Sequence, residues 1–237
     1  AYMTVRGLIG LARVELESAA NMDLEAAGLE AQGMPDILAA LIGIAPETAR
    51  MIVFAFVVLG LLAFCFKSAE FRESKRDIVG GVILGALVPA AWYVTGVVGF
   101  DDFEPTPLAS FTFVNPVGES LQYLMTFSGA TINFGIAVVG GVIFGAFIAA
   151  KASGEFRLEA FNDADDMVRH IIGAAIMGVG GILSLGCTIG QGLTGMSTLA
   201  VGSLIALVSI IAGGVYGMKY LEEGSFGGAL KAMFGGE

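Results

Sequence analysis

The 237-residue chain is 56% hydrophobic and only 14% charged, with a mean hydropathy of +0.81. A soluble domain carries about 25% charged residues, so a water-covered globule is excluded and residues 1–237 read as a single membrane domain. The net charge of −10 and pI near 4.5 exclude a nucleic-acid partner, which needs clustered Lys and Arg.

Residues 12–48 hold only Arg13 against seven acids, and the acidic stretch from Glu15 to Asp36 reads as a solvated outer loop without metal-site spacing. Apolar runs at about 49–66, 78–100, 132–150 and 199–218 match the roughly 17–25 residues a helix needs to cross a bilayer. A fifth run, 171–185, is short. Period-two alternation is absent, so strands are a poor reading. The expected fold is all-α: a polytopic membrane helix bundle.

Between the second and third spans, Asn115 is placed to cap a helix whose first position is Pro116, with Leu121, Leu124 and Met125 on one face. This predicts a short interfacial or re-entrant helix. Residues 79–86 (Val-Gly-Gly-Val-Ile-Leu-Gly-Ala) and 139–146 (Val-Gly-Gly-Val-Ile-Phe-Gly-Ala) match at seven of eight positions, and a weaker copy runs from Gly178 to Gly186. Recurrent small residues of this kind build close helix contacts.

The loops at 67–77 and 151–170 hold seven of the twelve basic residues, whereas 101–131 has none. By the positive-inside rule these two loops face the cytoplasm. No secretory leader is legible, and the opening Ala1-Tyr2-Met3-Thr4 reads as an internal start.

The short fifth run enters Gly186-Cys187-Thr188-Ile189-Gly190-Gln191-Gly192-Leu193-Thr194-Gly195, too rich in glycine to continue as a good helix. A broken or re-entrant helix at this Gly-Cys-Thr motif is the sequence feature that points to a transporter's binding site. Hydroxyls and an amide gathered there are costly unless they bind something. Backbone N–H groups at a half-helix start offer donors to an anion. The candidate substrate-binding residues are therefore Cys187, Gly186, Thr188, Gly190, Gln191, Gly192 and Thr194. Against this stands the ordinary reading of a buried Cys as a small hydrophobe, with Thr188, Thr194 and Ser197 capping helix ends or bonding to the preceding turn.

Cys65, inside Phe64-Cys65-Phe66, reads as packing, and His170 beside Arg169 as an interfacial residue. The acids from Asp163 to Asp166 read as a solvated loop and helix start. No Walker motif, dinucleotide fingerprint or nucleophile-base pair is present, so neither an ATP-driven pump nor a hydrolase is supported, and no cofactor or metal is expected.

The run from Gly180 to Ala200 resembles the YeeE/YedE family of sulfur-compound transporters, and the similarity continues to Gly217-Met218-Lys219-Tyr220. Asn115-Pro116-Val117-Gly118-Glu119-Ser120-Leu121 is similar to the family's re-entrant segment, and Ala1 to Gly7 to the end of a mid-protein helix. The resemblance implies an inner-membrane, multi-pass protein of two pseudo-symmetric halves that takes up thiosulfate or a related sulfur or selenium species. It implies that Cys187 is the family thiol at a constriction of a central path. The matching Gly-Cys motif of the N-terminal half has no counterpart, so the chain reads as a C-terminal portion working with an N-terminal half or a second copy. The alternative is a membrane-bound sulfur-transfer protein in which Cys187 carries a persulfide to a cytoplasmic sulfur carrier protein.

Overall fold

The computed structural model describes residues 1–20, 33–101, 106–161 and 163–234. Two short N-terminal helices, α1 (Tyr2–Val5) and α2 (Ile9–Ala20), precede α3 (Met34–Ile42) and the first long helix, α4 (Pro46–Lys67). Most of the acidic stretch expected as an outer loop lies outside the described residues; its ends are helical, in α2 and α3. Pro46 and Glu47 open α4 and Lys67 closes it, so the charges oppose the helix dipole at both ends.

A single turn, α5 (Ala69–Glu73), leads to α6 (Lys75–Tyr93), where the Ser74 hydroxyl accepts the Asp77 N–H at 3.3 Å. The helix tolerates Pro89 and then widens into a π turn at Val94–Val98. Buried Thr95 satisfies the loosened backbone by donating to the Ala91 carbonyl at 2.9 Å and accepting the Ala109 N–H at 3.2 Å. Then come α7 (Val114–Met125), α8 (Phe134–Ala152) and α9 (Ala164–Leu183). The chain closes with α10 (Val201–Glu223) and α11 (Phe226–Phe234).

Among the described residues, five helices are long and apolar enough to cross a membrane: α4, α6 with its π turn, α8, α9 and α10. All the described regular structure is helical; the one β-type contact is an isolated bridge from Gly33 to Ala200. The all-α polytopic architecture read from the sequence holds.

Two local expectations need correction. The fifth span is not short: α9 begins at Ala164, seven residues before the apolar run, and its 20 residues reach about 30 Å. Asp163 supplies the cap, accepting the Asp166 N–H at 2.7 Å, so a polar first turn extends the helix beyond its greasy part. Asn115 is not a cap. It lies inside α7, one residue after the start, and donates to Glu119 Oε1 at 2.7 Å.

The buried residues do not lie in a seam between the long helices. Span α8 buries none of its apolar window within the chain, and Phe54, Phe144 and Ile176 are each more than 60% exposed. Such faces suit lipid or another membrane segment. One buried cluster, Thr4, Pro116, Gly118, Ile182 and Gly186, lies where α1, α7 and the end of α9 meet, and Ser203 is buried at the start of α10.

The repeated glycine motifs divide accordingly. Gly80, Gly81 and Gly85, like Gly140, Gly141 and Gly145, meet no described atom within 4 Å of an added Cβ. In the third copy, an added Cβ at Gly178 would sit 2.9 Å from the Ala1 nitrogen and one at Gly181 would sit 2.7 Å from Val114. Close approach is thus realised in one copy only.

Candidate functional site

The break after α9 is a defined helix stop. The Leu185 N–H bonds to the Ile182 carbonyl at 3.1 Å and the Gly186 N–H to the Gly181 carbonyl at 2.9 Å. That pair of bonds is a Schellman closure, which needs a left-handed residue at its corner. Here Leu185 occupies that corner with φ 56°. Leu199, at the far end of the segment, has the same φ of 56°. A non-glycine residue in this region costs about 1–2 kcal/mol, so both reversals that bracket Gly186–Thr198 are strained. Strain held at both ends of a segment points to a constrained functional conformation rather than a loose connection.

Between the two leucines the backbone becomes helical again at Thr188, with a π turn at Gly190–Gly195. This wide turn brings two glycines close against neighbouring residues. An added Cβ at Gly190 would sit 2.8 Å from Thr112 Oγ1. At Gly195 it would collide with the Ser203 hydroxyl and approach Gln191 Oε1 at 2.8 Å. A side chain at either position would force the facing side chains to move.

Cys187 stands at the start of the renewed helix and is partly buried. Backbone amides face its sulfur from two directions: those of Ile189 and Gly190 in its own segment, and those of Phe113 and Val114 at the start of α7. Two helix N-termini therefore converge on one thiol. Each carries unpaired N–H groups and the positive end of a peptide dipole, an arrangement that receives negative charge at or beside the sulfur.

The remaining residues of the predicted site divide into those that hold the crossing together and those that stand apart. Gln191 Nε2 donates to the Ser184 carbonyl at 2.5 Å, and its Oε1 accepts from the Ser203 hydroxyl at 2.6 Å. The side chain thus spans from the end of α9 to the start of α10. Thr194 Oγ1 donates to the Phe111 carbonyl at 2.8 Å, tying the glycine-rich segment to the approach to α7. Gly186 is buried against Gln191, and Gly192 faces Leu207. Thr188 is exposed, and Ser197 bonds back to the Thr194 carbonyl at 2.5 Å.

Cys65 lies on α4. His170 sits on the first turns of α9, its Nδ1 2.8 Å from the Asp166 carbonyl oxygen and its ring packed on Phe161. Among the described residues no cluster of His, Cys, Asp and Glu has metal-binding geometry.

The sequence reading missed Phe113 and Val114, because it considered side chains, whereas both act through backbone N–H. It also missed Ser184 and Ser203, the partners that fix Gln191. The crowding of glycines opposite a Pro-containing helix start was the available signal.

The family model described as sulphur transport matches residues 31–216. The chain is 33% identical over 123 residues to the thiosulfate transporter TsuA of Escherichia coli strain K12, covering 52% of this chain and 33% of that protein. It is 25% identical over 180 residues to the thiosulfate transporter TsuA of Spirochaeta thermophila, covering 74% of this chain and 50% of that one. The matched regions thus span a third to a half of the length of these curated relatives. No solved structure matches the chain. With five bilayer-length apolar helices and a family match over most of its length, this multi-pass membrane protein belongs to the sulphur transport family.

Proposed function

We propose that this chain forms part of a path for uptake of thiosulfate, or a related sulfur-containing anion, across the inner membrane, with Cys187 at the narrow point. The observation that carries the reading is the convergence of two helix starts on the Cys187 sulfur. A dianion leaving water needs replacement donors, and four backbone N–H groups supply them without a side-chain charge. A thiol is a weak donor, suited to brief contact in a path that has to release what it binds. The segments around Cys187 and α7 act as a re-entrant pair. The residues that line the contact are Cys187, Gly186, Thr188, Gly190 and Gly192, while Gln191 and Thr194 hold the two segments in register.

The match to a family described as sulphur transport supports transport over catalysis. The open faces of the long helices support a path completed by a second unit, either an N-terminal half or a second copy of the chain.

The test is uptake of radiolabelled thiosulfate by cells expressing the protein together with an N-terminal half from a full-length relative. Cys187→Ala and Cys187→Ser should each abolish most uptake at unchanged membrane abundance, and Cys65→Ser should leave it within about two-fold, as ordinary surface changes do. Normal uptake by Cys187→Ala would remove the thiol from the path.

A further inference from the structure

A cavity of about 360 Å³ lies against the Cys187 segment, lined by Arg13, Thr112, Asn115, Gly181, Leu185 and Gly186 among others. Two of these adjoin the thiol site along the chain. Gly186 precedes Cys187, and Thr112 precedes Phe113, whose backbone amide faces the sulfur. The cavity and the thiol therefore share a wall built from both converging segments.

Arg13, on the second turn of α2, brings the only charged side chain among the lining residues. Its guanidinium is under-satisfied. Nε is buried and has no hydrogen-bond partner among the described residues. Its ion pair there is to Glu17 on the same helix, through Nη1 at a long 3.4 Å. The side chain is 23% exposed, so it is drawn into the protein rather than extended into solvent. A buried donor of a cation left unpaired is expensive, and an anion in the cavity removes that cost.

The other polar groups fit the same ligand. Thr112 contributes a hydroxyl. Asn115 gives one amide hydrogen to Glu119 at 2.7 Å and keeps the second. The nearby carboxylate of Glu119 is engaged at both oxygens, by Asn115 and by Asn133 at 2.7 Å each, and it lines a separate small cavity with Arg6.

We propose that this cavity is a second subsite that captures a sulfur oxyanion before it passes Cys187. The Arg13 fork takes two oxygens of the anion's head, and Thr112 and Asn115 complete the donor set. Arginine suits this because its planar donors match paired oxygens and it is less strongly hydrated than an ammonium. The subsite rests on the transport reading of Cys187, and it adds selectivity: an anion with oxygens is held here, whereas hydrosulfide, which has none, is not.

The test measures binding of radiolabelled thiosulfate to the detergent-solubilised protein and thiosulfate uptake in cells, with sulfite and hydrosulfide as competitors. Arg13→Gln should weaken binding and raise the half-saturation concentration by about ten-fold or more, with maximal uptake nearly kept, since each factor of ten reflects one strong charge-assisted contact. Sulfite should lose its power to compete, and hydrosulfide should not. Arg13→Lys keeps the charge without the fork and should fall between, at about three-fold, well inside that one-contact range; it also serves if the Gln variant is not retained in the membrane. Cys187→Ala should lose uptake yet still bind thiosulfate.

Unchanged binding and half-saturation in Arg13→Gln or Arg13→Lys, alongside lost uptake in Cys187→Ala, overturns the subsite and leaves the thiol path standing. Weakened binding in the Arg13 variants with normal uptake by Cys187→Ala overturns the thiol path and keeps the subsite. A parent protein that binds no thiosulfate overturns both.

Discussion

The Thr194 hydroxyl donates to the Phe111 carbonyl at 2.8 Å, joining positions 83 residues apart in the chain. This bond holds the glycine-rich segment against the approach to α7, and so keeps both helix starts aimed at Cys187. Thr194→Val preserves shape but strands the carbonyl. It should lower stability by about 0.5–2 kcal/mol, as for other polar contacts between membrane segments, and depress thiosulfate uptake by more than that loss of stability explains. Thermal midpoints in detergent beside uptake rates at matched abundance decide it. Full uptake in a destabilised Thr194→Val protein would mean that the bond serves stability alone.

Gln191 joins three elements through one side chain, by way of the Ser184 carbonyl and the Ser203 hydroxyl. Gln191→Leu leaves both partners unmet and should cost about 1–3 kcal/mol, whereas Ser203→Ala, which removes a single partner, should cost less. Thr188→Val, at an exposed position, should change stability by less than about 0.5 kcal/mol. Thermal unfolding of the three variants gives the order directly, and equal losses in all three would contradict it.

Gly190 has no room for a side chain: the added carbon of alanine would lie 2.8 Å from Thr112 Oγ1. Gly190→Ala should push the two segments apart and reduce uptake several-fold, and adding Thr112→Ala should restore part of the loss. Gly141→Ala is the contrasting case, since no described atom lies within 4 Å of its added carbon. Alanine is favoured over glycine inside a helix by about 1 kcal/mol, so this variant should be no less stable than the parent. A cycle of single and double variants measured by uptake would show whether Gly190 and Thr112 are coupled at all.

The orientation follows from the basic loops at 67–77 and 151–170. Ser74 caps α6 and Ser153 follows α8, so both lie at helix ends. Cysteines placed there should resist a membrane-impermeant thiol reagent added outside intact cells, and react once the membrane is opened. Rapid labelling from outside would invert the topology.

The long helices were legible in the sequence because crossing a bilayer demands an uninterrupted apolar run, and such a run is a local property of composition. The break at Gly186-Cys187-Thr188 was legible for the same reason: glycines and polar groups are conspicuous where a helix is otherwise continuous. The acids at Asp163 to Asp166 did mark the start of α9, but the full length of the span was hidden because its first turns are polar and gain stability from the Asp163 cap and the dipole, not from hydrophobicity. The donors at Phe113 and Val114 were invisible because every non-proline residue carries an N–H, so residue type says nothing about which ones are left free. Only folding sets them beside a sulfur far along the chain. Arg13 read as a stray base in an acidic stretch, and only packing placed it against the cavity beside Cys187. What composition and periodicity determined is the set of membrane helices and the position of their interruption. What tertiary structure decided is which backbone groups face the thiol and which cation lines the neighbouring cavity, because those depend on contacts between segments that share no local pattern.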